Sequence, residues 1–324
     1  MPMLYPLVFN PIFKERVWGG RNLERLYGKP LPPNVPIGES WEISDRPGDV
    51  SVLANGPLAG KDLHWLMVRH GLELLGRQPG RDERFPLLVK LLDAQEVLSL
   101  QVHPPAAKAV KLKGEPKTEM WLIAEAKPGA ELYVGLKRGV TRGSFEHAVN
   151  EGSVAECFHR VTVKAGDAMF LPSGRVHALG AGLVIFEIQQ NSDTTYRVFD
   201  WNRTGLDGKP RTLHIAESLE SIDFQDFEPS LVTNPFREEG KLKSKSLVDD
   251  SSFQVRLLEA REDSSFILPG KKLHLIGVVD GSVRIQSNEQ SVVVPRGNFC
   301  LLPACLAQST VYFDKGGKFL LVEI

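Results

Sequence analysis

The chain has 324 residues, 42% of them hydrophobic, which is enough for one large domain or two ordinary ones with a buried core. Its 39 basic and 40 acidic residues leave a formal charge of −1, and this balance argues against a nucleic-acid-binding protein, which needs a basic face. There is no run of about 18 apolar residues and no signal-peptide pattern, so we expect neither a membrane span nor secretion.

Short apolar runs separated by glycine and proline extend along the chain, for example SVLAN, ELYVGL, GLVIFEIQQ and KFLLVEI. Such runs between turn residues are typical of a β-sandwich or barrel. One early segment differs: KDLHWLMVRHGLELLG (61–76) has helical spacing, an acidic start and a terminal glycine, which predict a helix and its C-cap. Shorter helices are predicted at 104–113 and 142–151. The predicted fold class is therefore all-β with helical insertions.

A domain boundary is predicted in the segment 229–251, where charge rises and the apolar runs stop. We expect a larger domain at 1–235, which contains the helical insertions, and a smaller, purely β domain at 236–324. The basic run KLKSKS (241–246) near this boundary is interpreted as a solvated linker, because a short charge run is more often solvated than a binding patch.

An internal repeat supports two related barrels. GDAMFLPSGRVH (166–177) and GNFCLLPACLAQ (297–308) share a glycine, a proline six residues later and an apolar strand between them. The first copy ends on His177, whereas the second has Gln308 at the same place. The repeat predicts that the second barrel has lost the histidine and that the first barrel keeps the chemistry.

Four polar residues near the predicted barrel strands form a candidate metal site. Gln101 and His103 are two apart in SLQVHP, so on a strand they share a face. Glu119 begins the next predicted strand, and His177 ends the repeated turn. Two imidazoles, one carboxylate and one amide suit a borderline divalent ion such as zinc. Each residue alone is also compatible with a buried histidine, a buried amide or a solvated strand edge, and only the combination indicates a metal.

Longer motifs resemble a known family. The frame from Gly166 to His177 is similar to the second motif of the cupins. FPLLVKLLDAQEVLSLQVHP, KTEMWLI and PSGRVHALGAGLVIFEIQQNSDTTYRVFDWNR resemble the short bacterial form of type I mannose-6-phosphate isomerases. The resemblance implies two cupin-type jelly-roll barrels plus a small helical segment, with the C-terminal barrel degenerate. It also implies one zinc per chain, bound by Gln101, His103, Glu119 and His177, with Gln101 either a direct ligand or a neighbour of the ligands.

A sugar phosphate is the partner that this resemblance implies. The positions assigned to substrate binding are Lys90, Ser99, Lys117, Arg197, Trp18 and Trp41. Ser99 has independent support, because it shares a strand face with Gln101. Both tryptophans are equally compatible with core positions.

The reaction implied is the interconversion of mannose 6-phosphate and fructose 6-phosphate through a cis-enediol. Its catalytic candidates are Arg197, Lys117, Glu187 and Asp193. Arg197 and zinc would hold the negative charge that develops on the substrate oxygens. The general base is left open between Lys117 and Glu187, and Asp193 is a possible relay.

Two alternatives stay open on the sequence. One is a different cupin metalloenzyme, either an oxygenase or a cupin-type glucose-6-phosphate isomerase, although these more often carry a His-x-His pair than Gln-x-His. The other is a non-catalytic sugar-phosphate-binding regulator, which we would expect to have lost a ligand or a basic residue.

The cellular setting and the assembly are also expectations from the sequence. Cys157, Cys300 and Cys305 are odd in number and match no zinc or redox spacing, so we interpret them as buried thiols in a reducing, cytoplasmic compartment. We expect a monomer or homodimer without nucleic-acid or membrane partners.

Overall fold

The computed structural model of the chain describes residues 3–324. The helices are α1 (Asn22–Tyr27), α2 (Leu63–Leu75), α3 (Ala106–Ala109), α4 (Arg142–Asn150) and α5 (Ile215–Ser221), with a short 3-10 turn at Val154–Cys157. The strands, in chain order, are β1 (Ile12–Gly20), β2 (Ile37–Ile43), β3 (Asp45–Arg46), β4 (Asp49–Val50), β5 (Leu87–Ala94), β6 (Leu100–Val102), β7 (Glu119–Ala126), β8 (Glu131–Leu136), β9 (Phe158–Thr162), β10 (Ala168–Leu171), β11 (His177–Leu179), β12 (Leu183–Gln190), β13 (Tyr196–Phe199), β14 (Arg237–Glu239), β15 (Leu242–Asp249), β16 (Gln254–Pro269), β17 (His274–Ser287), β18 (Gln290–Pro295), β19 (Phe299–Leu302) and β20 (Gln308–Glu323). The predicted all-β class with helical insertions is confirmed.

The strands form three large sheets and one small hairpin. Sheet A has the order β1-β2-β5-β12-β7-β10, and sheet B has the order β13-β6-β11-β8-β9. Sheet C has the order β14-β15-β16-β20-β17-β18, with β19 also paired to β17. The hairpin is β3-β4. No helix among the residues described is long and apolar enough to cross a membrane.

The chain divides into two compact units. The first contains the described residues up to Ile12 together with Trp41–Val89 and Thr233–Ile324, and the second contains Phe13–Ser40 and Lys90–Val232. The predicted division into 1–235 and 236–324 stays a prediction, although its boundary is close to Thr233.

The second unit has a core between sheets A and B. Leu92 and Ile123 from sheet A belong to the same apolar cluster as Leu132 and Val134 from sheet B. The other face of sheet B packs against α4 and α5, and Val102 lies in that outer layer. Because strand side chains alternate, burying Val102 on the outer face directs Gln101 toward sheet A.

The first unit contains sheet C, whose interior is an apolar cluster built from residues such as Leu258, Ile276 and Phe319. The repeated frame has the same local structure in both copies. Strand β10 is followed by a turn, and β11 then begins at His177. In the second copy β19 is followed by a turn, and β20 begins at Gln308. The interior of sheet C is apolar, and Gln308, at the place of His177, is exposed.

Helix α2 lies where the sequence predicts it. The side chain of Asp62 accepts a hydrogen bond from the backbone N–H of Trp65 at 2.7 Å, and Gly76 ends the helix at φ +73°. Helix α3 is shorter than the predicted 104–113, since it ends at Ala109 and turns follow it as far as Lys113, where φ is +54°.

Two expectations were wrong. The run KLKSKS is not a linker: most of it forms strand β15, in which Leu242 and Ser244 are buried while Lys243 and Lys245 are partly exposed. Small serines on the inner face make such a strand weakly apolar. Cys305 is exposed, whereas Cys157 and Cys300 are buried, and all three are free.

Candidate active site

Three neighbouring strands of sheet B place polar side chains in one row. Gln101 on β6 is paired with His177 on β11 and, on its other side, with Arg197 on β13. Residues directly opposite each other on antiparallel strands point to the same face. The row Arg197–Gln101–His177 therefore faces sheet A across the core.

His103, Glu119 and His177 form a group whose possible ligand atoms all lie within 4.8 Å of one another. Glu119, at the start of β7, reaches His177 Nε2 with Oε1 at 3.1 Å and His103 Nε2 with Oε2 at 3.5 Å. The three residues are buried, with exposed fractions of 0 to 1%. In the part of the chain that the structure describes, this is the one such group of three or more ligating residues.

The hydrogen bonds of the two histidines fix which nitrogen carries a lone pair. His103 Nδ1 lies 2.7 Å from the carbonyl oxygen of Thr194, and His177 Nδ1 lies 2.9 Å from that of Arg175. A carbonyl only accepts, so each Nδ1 carries a proton, and in the neutral imidazole the Nε2 atom then has its lone pair directed toward Glu119. Two lone pairs and a carboxylate that face one another attract a cation, and the Lys117 ammonium contacts only the His103 and Glu119 side of this group. The donor set therefore fits a borderline divalent ion, with the ligand orientation usual for metal-binding histidines.

Lys117 places a positive charge next to Glu119 and His103. It lies in the loop before β7, and its Nζ is 2.9 Å from Glu119 Oε2 and 3.3 Å from His103 Nε2. Burial disfavours its charged form, but the Glu119 carboxylate raises the pKa of Lys117 above its ordinary value. Burial and the nearby Lys117 charge lower the pKa of His103 to about 3, which keeps its imidazole neutral.

Gln101 and Ser99 lie beside the histidine pair. Gln101 Nε2 is 3.4 Å from His177 Nε2, and Ser99 Oγ donates to Gln101 Oε1 at 3.3 Å. The amide is thus next to the group of three.

The wall formed by sheet A carries a second polar group. Lys90 Nζ is 3.2 Å from Glu187 Oε2, and Trp121 Nε1 donates to Glu187 Oε1 at 2.9 Å. The Trp121 ring also meets His177 edge-on, with centroids 5.3 Å apart. Sequence reasoning missed Trp121, although it lies two residues after Glu119 on β7 and so shares its face.

A cavity of about 510 Å³ opens onto both walls. The residues predicted for substrate binding or catalysis that line it are Trp18, Lys90, Ser99, Gln101, Lys117, Glu187, Asp193 and Arg197. Trp41 is buried in the first unit and is not among the lining residues. The sequence also missed Arg16, Glu39 and Arg211 in the lining, because no local pattern marks them.

Comparison with known proteins identifies relatives along the whole chain. Residues 7–121 match the family model "Phosphomannose isomerase type I, catalytic domain". The chain is 37% identical over 312 residues to the probable mannose-6-phosphate isomerase GmuF of Bacillus subtilis, covering 95% of this chain and 96% of that one. It is 34% identical over 310 residues to the mannose-6-phosphate isomerase of Streptococcus mutans, covering 93% of each.

The fold comparison agrees. The crystal structure of a mannose 6-phosphate isomerase from Bacillus subtilis superposes with a TM-score of 0.89 at 30% identity, covering 99% of this chain and 100% of that one. This likeness confirms the predicted cupin-type fold class. With identity above 30% to relatives covered over nearly their whole length, the chain belongs to the type I phosphomannose isomerase family of enzymes.

Proposed function

We propose that this enzyme interconverts mannose 6-phosphate and fructose 6-phosphate, with one zinc ion held by His103, Glu119 and His177 and with Gln101 beside or among the ligands. The observation that carries this proposal is the buried group of two imidazoles and one carboxylate, which contacts the cavity-lining residues Gln101 and Lys117. A bound divalent ion would supply a Lewis acid toward a substrate oxygen.

We assign proton transfer to Glu187. An aldose–ketose isomerisation needs a base that removes the proton from C2 and returns it to C1 through a cis-enediol. Glu187 lines the cavity, and its two oxygens are held by Lys90 and Trp121. Lys117 is the alternative base, since its ammonium also lines the cavity, but in this structure it contacts Glu119 and His103. Asp193 lines the same cavity and is the candidate relay.

Arg197 is assigned to the developing negative charge on O1 and O2. It lines the cavity and is the cross-strand neighbour of Gln101, which lies beside the candidate metal ligand His177. A fixed, permanently charged donor stabilises an enediolate without needing to reorganise. Ser99 and Trp18 complete the lining on which the sugar would rest.

The central experiment measures metal content and isomerisation together in the wild type, His103→Ala and His147→Ala. His147 lies exposed on α4 and serves as the matched control. We expect about one zinc per chain and mannose-6-phosphate turnover in the wild type and in the control, and loss of both in His103→Ala. Turnover that survives complete metal removal would contradict a metal-dependent mechanism. Stoichiometric zinc without turnover would contradict the assigned substrate.

The setting of the enzyme stays as predicted from the sequence. We retain a cytoplasmic location, a sugar phosphate as the partner, no nucleic-acid or membrane partner, and a monomeric or homodimeric state.

A further inference from the structure

Three arginines line the cavity, and two of them are held by carboxylates. Arg16 Nε donates to Glu39 Oε1 at 3.0 Å. Arg211 forms a two-pronged contact with Asp200: Nε donates to Oδ2 at 2.6 Å, and a terminal nitrogen donates to Oδ1 at 2.5 Å. Such a fork fixes both the position and the plane of a guanidinium.

The third arginine has no such partner. No ion pair is found for the Arg197 guanidinium within residues 3–324, and its Nε is buried without a hydrogen bond. Burial lowers the pKa of Arg197 and the charge of Arg211 lowers it further, against the opposite effect of the Asp200 and Asp193 carboxylates. A buried donor beside a like charge is costly unless an anion satisfies it.

The direct ion pairs leave this corner of the cavity with an excess of positive charge. Asp200 is shared between Arg211 and Arg203, whose terminal nitrogen lies 2.9 Å from Oδ1. Arg203 also lies 3.8 Å from Glu96, so two carboxylates face these two cations, and the Arg197 guanidinium leaves one positive charge in excess. Excess positive charge of this kind favours an anion such as a phosphate monoester, which carries about −1.5 to −2 at neutral pH.

Arg211 retains donors that can reach such an anion. A guanidinium has five N–H groups, and Asp200 accepts from two of them. The rest have no partner in the described part of the chain, and Arg211 lines the cavity. Arg203 differs: it donates to the carbonyl of Val97 and is not among the lining residues. Arg203 therefore anchors the segment, whereas Arg211 presents free donors.

We propose that Arg211 binds the phosphate group of the substrate and that Asp200 is the positioning residue that holds Arg211 in place. This rests on the proposed function, whose substrate is a sugar phosphate. Arg197, whose pKa the charge of Arg211 affects, lies two strands away from the candidate metal ligand His177, because Gln101 is paired with both residues. Two inter-strand spacings make about 10 Å, comparable with the length of an open-chain hexose carrying phosphate on its last carbon.

The test compares steady-state kinetics of the wild type and Arg211→Gln. Because a hydrogen bond to a charged group is lost, we expect the KM for mannose 6-phosphate to rise roughly 10- to 100-fold while kcat changes by less than about threefold. Inorganic phosphate, used as a competitive inhibitor, should show an inhibition constant raised by a similar factor. Zinc content should be unchanged.

Three further variants separate a phosphate contact from a general effect. Asp200→Asn should raise KM in the same direction, because Arg211 loses its anchor. Arg211→Lys should recover part of the affinity, since it keeps the charge but not the fork. Lys209→Gln removes one positive charge from the same loop at an exposed residue outside the lining, and it should leave KM as in the wild type.

Several results would overturn the proposal. These are a KM and a phosphate inhibition constant for Arg211→Gln within about twofold of the wild type, a fall in kcat at unchanged KM, or an equal rise in KM for Lys209→Gln. If the wild type does not isomerise mannose 6-phosphate at all, the proposed function fails. Calorimetric titration with inorganic phosphate then still decides this inference: weaker binding by Arg211→Gln supports it, and equal binding refutes it.

Discussion

At the scale of single residues, the site depends on side chains that hold other side chains. Trp121 is the clearest case, because its N–H donates to Glu187 while its ring edge packs against His177. It thereby connects the proposed base to the proposed metal ligands. The hydrogen bond and the ring contact can be separated experimentally, since phenylalanine keeps an aromatic ring and lacks the N–H donor.

We predict that Trp121→Phe lowers kcat roughly tenfold, because Glu187 loses a hydrogen bond made to its charged form. KM and zinc content should stay near the wild-type values. Glu187→Gln gives the reference for complete loss of the base, which is expected to lower kcat by a factor of about 10² to 10⁴. Trp65→Phe, on α2, is the control for the same substitution elsewhere. Unchanged kcat in Trp121→Phe, or an equal fall in Trp65→Phe, would refute the positioning role.

At the scale of elements, the segment after α2 is stabilised by the hydrogen bonds of one carboxylate, that of Glu83. Glu83 accepts from two terminal nitrogens of Arg77, at 2.5 and 2.9 Å, and from the backbone N–H of Gly80 at 2.7 Å. The hydrogen bonds from Arg77 outweigh partial burial and lower the pKa of Glu83 from 4.5 to about 2. A carboxyl group whose pKa is lowered on folding stabilises the folded state at any pH above its pKa in the unfolded chain. This contribution is lost as the pH falls from about 4.5 toward 2.

We therefore expect Glu83→Gln to reduce the free energy of unfolding at pH 7 by about 1 kcal/mol or less, since the pair is partly exposed. The difference from the wild type should shrink as the pH is lowered below about 4.5. Melting temperatures measured between pH 7 and pH 3 test this. Arg81→Gln is the control, because Arg81 pairs with Asp82 only at 3.8 Å on the open surface. If the difference in melting temperature between the wild type and Glu83→Gln grew toward low pH, the predicted direction of the pH dependence would be wrong.

Elements of the site differ in how far the sequence could predict them. His103, Glu119 and His177 could be predicted from the sequence, because strand alternation, a turn motif and a family resemblance all point to them. Trp121 could have been predicted from strand alternation alone, but was not identified. Asp200 and Arg211 could not be predicted, because they lie in loops and meet only through the tertiary fold. Strand β15 was misread as a linker because its inward residues include serines rather than larger apolar side chains.

At the scale of the whole molecule, the candidate metal ligands are a buried cluster of acceptors beside the Lys117 ammonium. The lone pairs of His103 and His177 and the carboxylate of Glu119 are buried between sheets A and B, where unpaired polar atoms are costly. A ligand that binds only the folded state adds to its stability by mass action. Folding and metal occupancy should therefore be linked.

We predict that removal of the metal with a chelator at pH 7 lowers the melting temperature of the wild type and that added zinc restores it. With free metal at about 100 times its Kd, the stabilisation is about 2.7 kcal/mol. His177→Ala should melt at the same temperature with and without chelator. A wild-type melting temperature that does not change when bound metal is shown to leave would refute the linkage.

The two carbonyl groups that orient His103 and His177 have an evolutionary consequence. Thr194 and Arg175 contribute main-chain oxygen atoms, and every amino acid, proline included, has that oxygen. Point mutation therefore cannot delete either acceptor. A saturation mutagenesis screen for isomerase activity should find His103 and His177 intolerant and the side chain of Thr194 comparatively replaceable. The orientation of the two imidazole rings therefore depends on the backbone conformation at Thr194 and Arg175. The side chains at these positions can change in evolution while the rings keep their orientation.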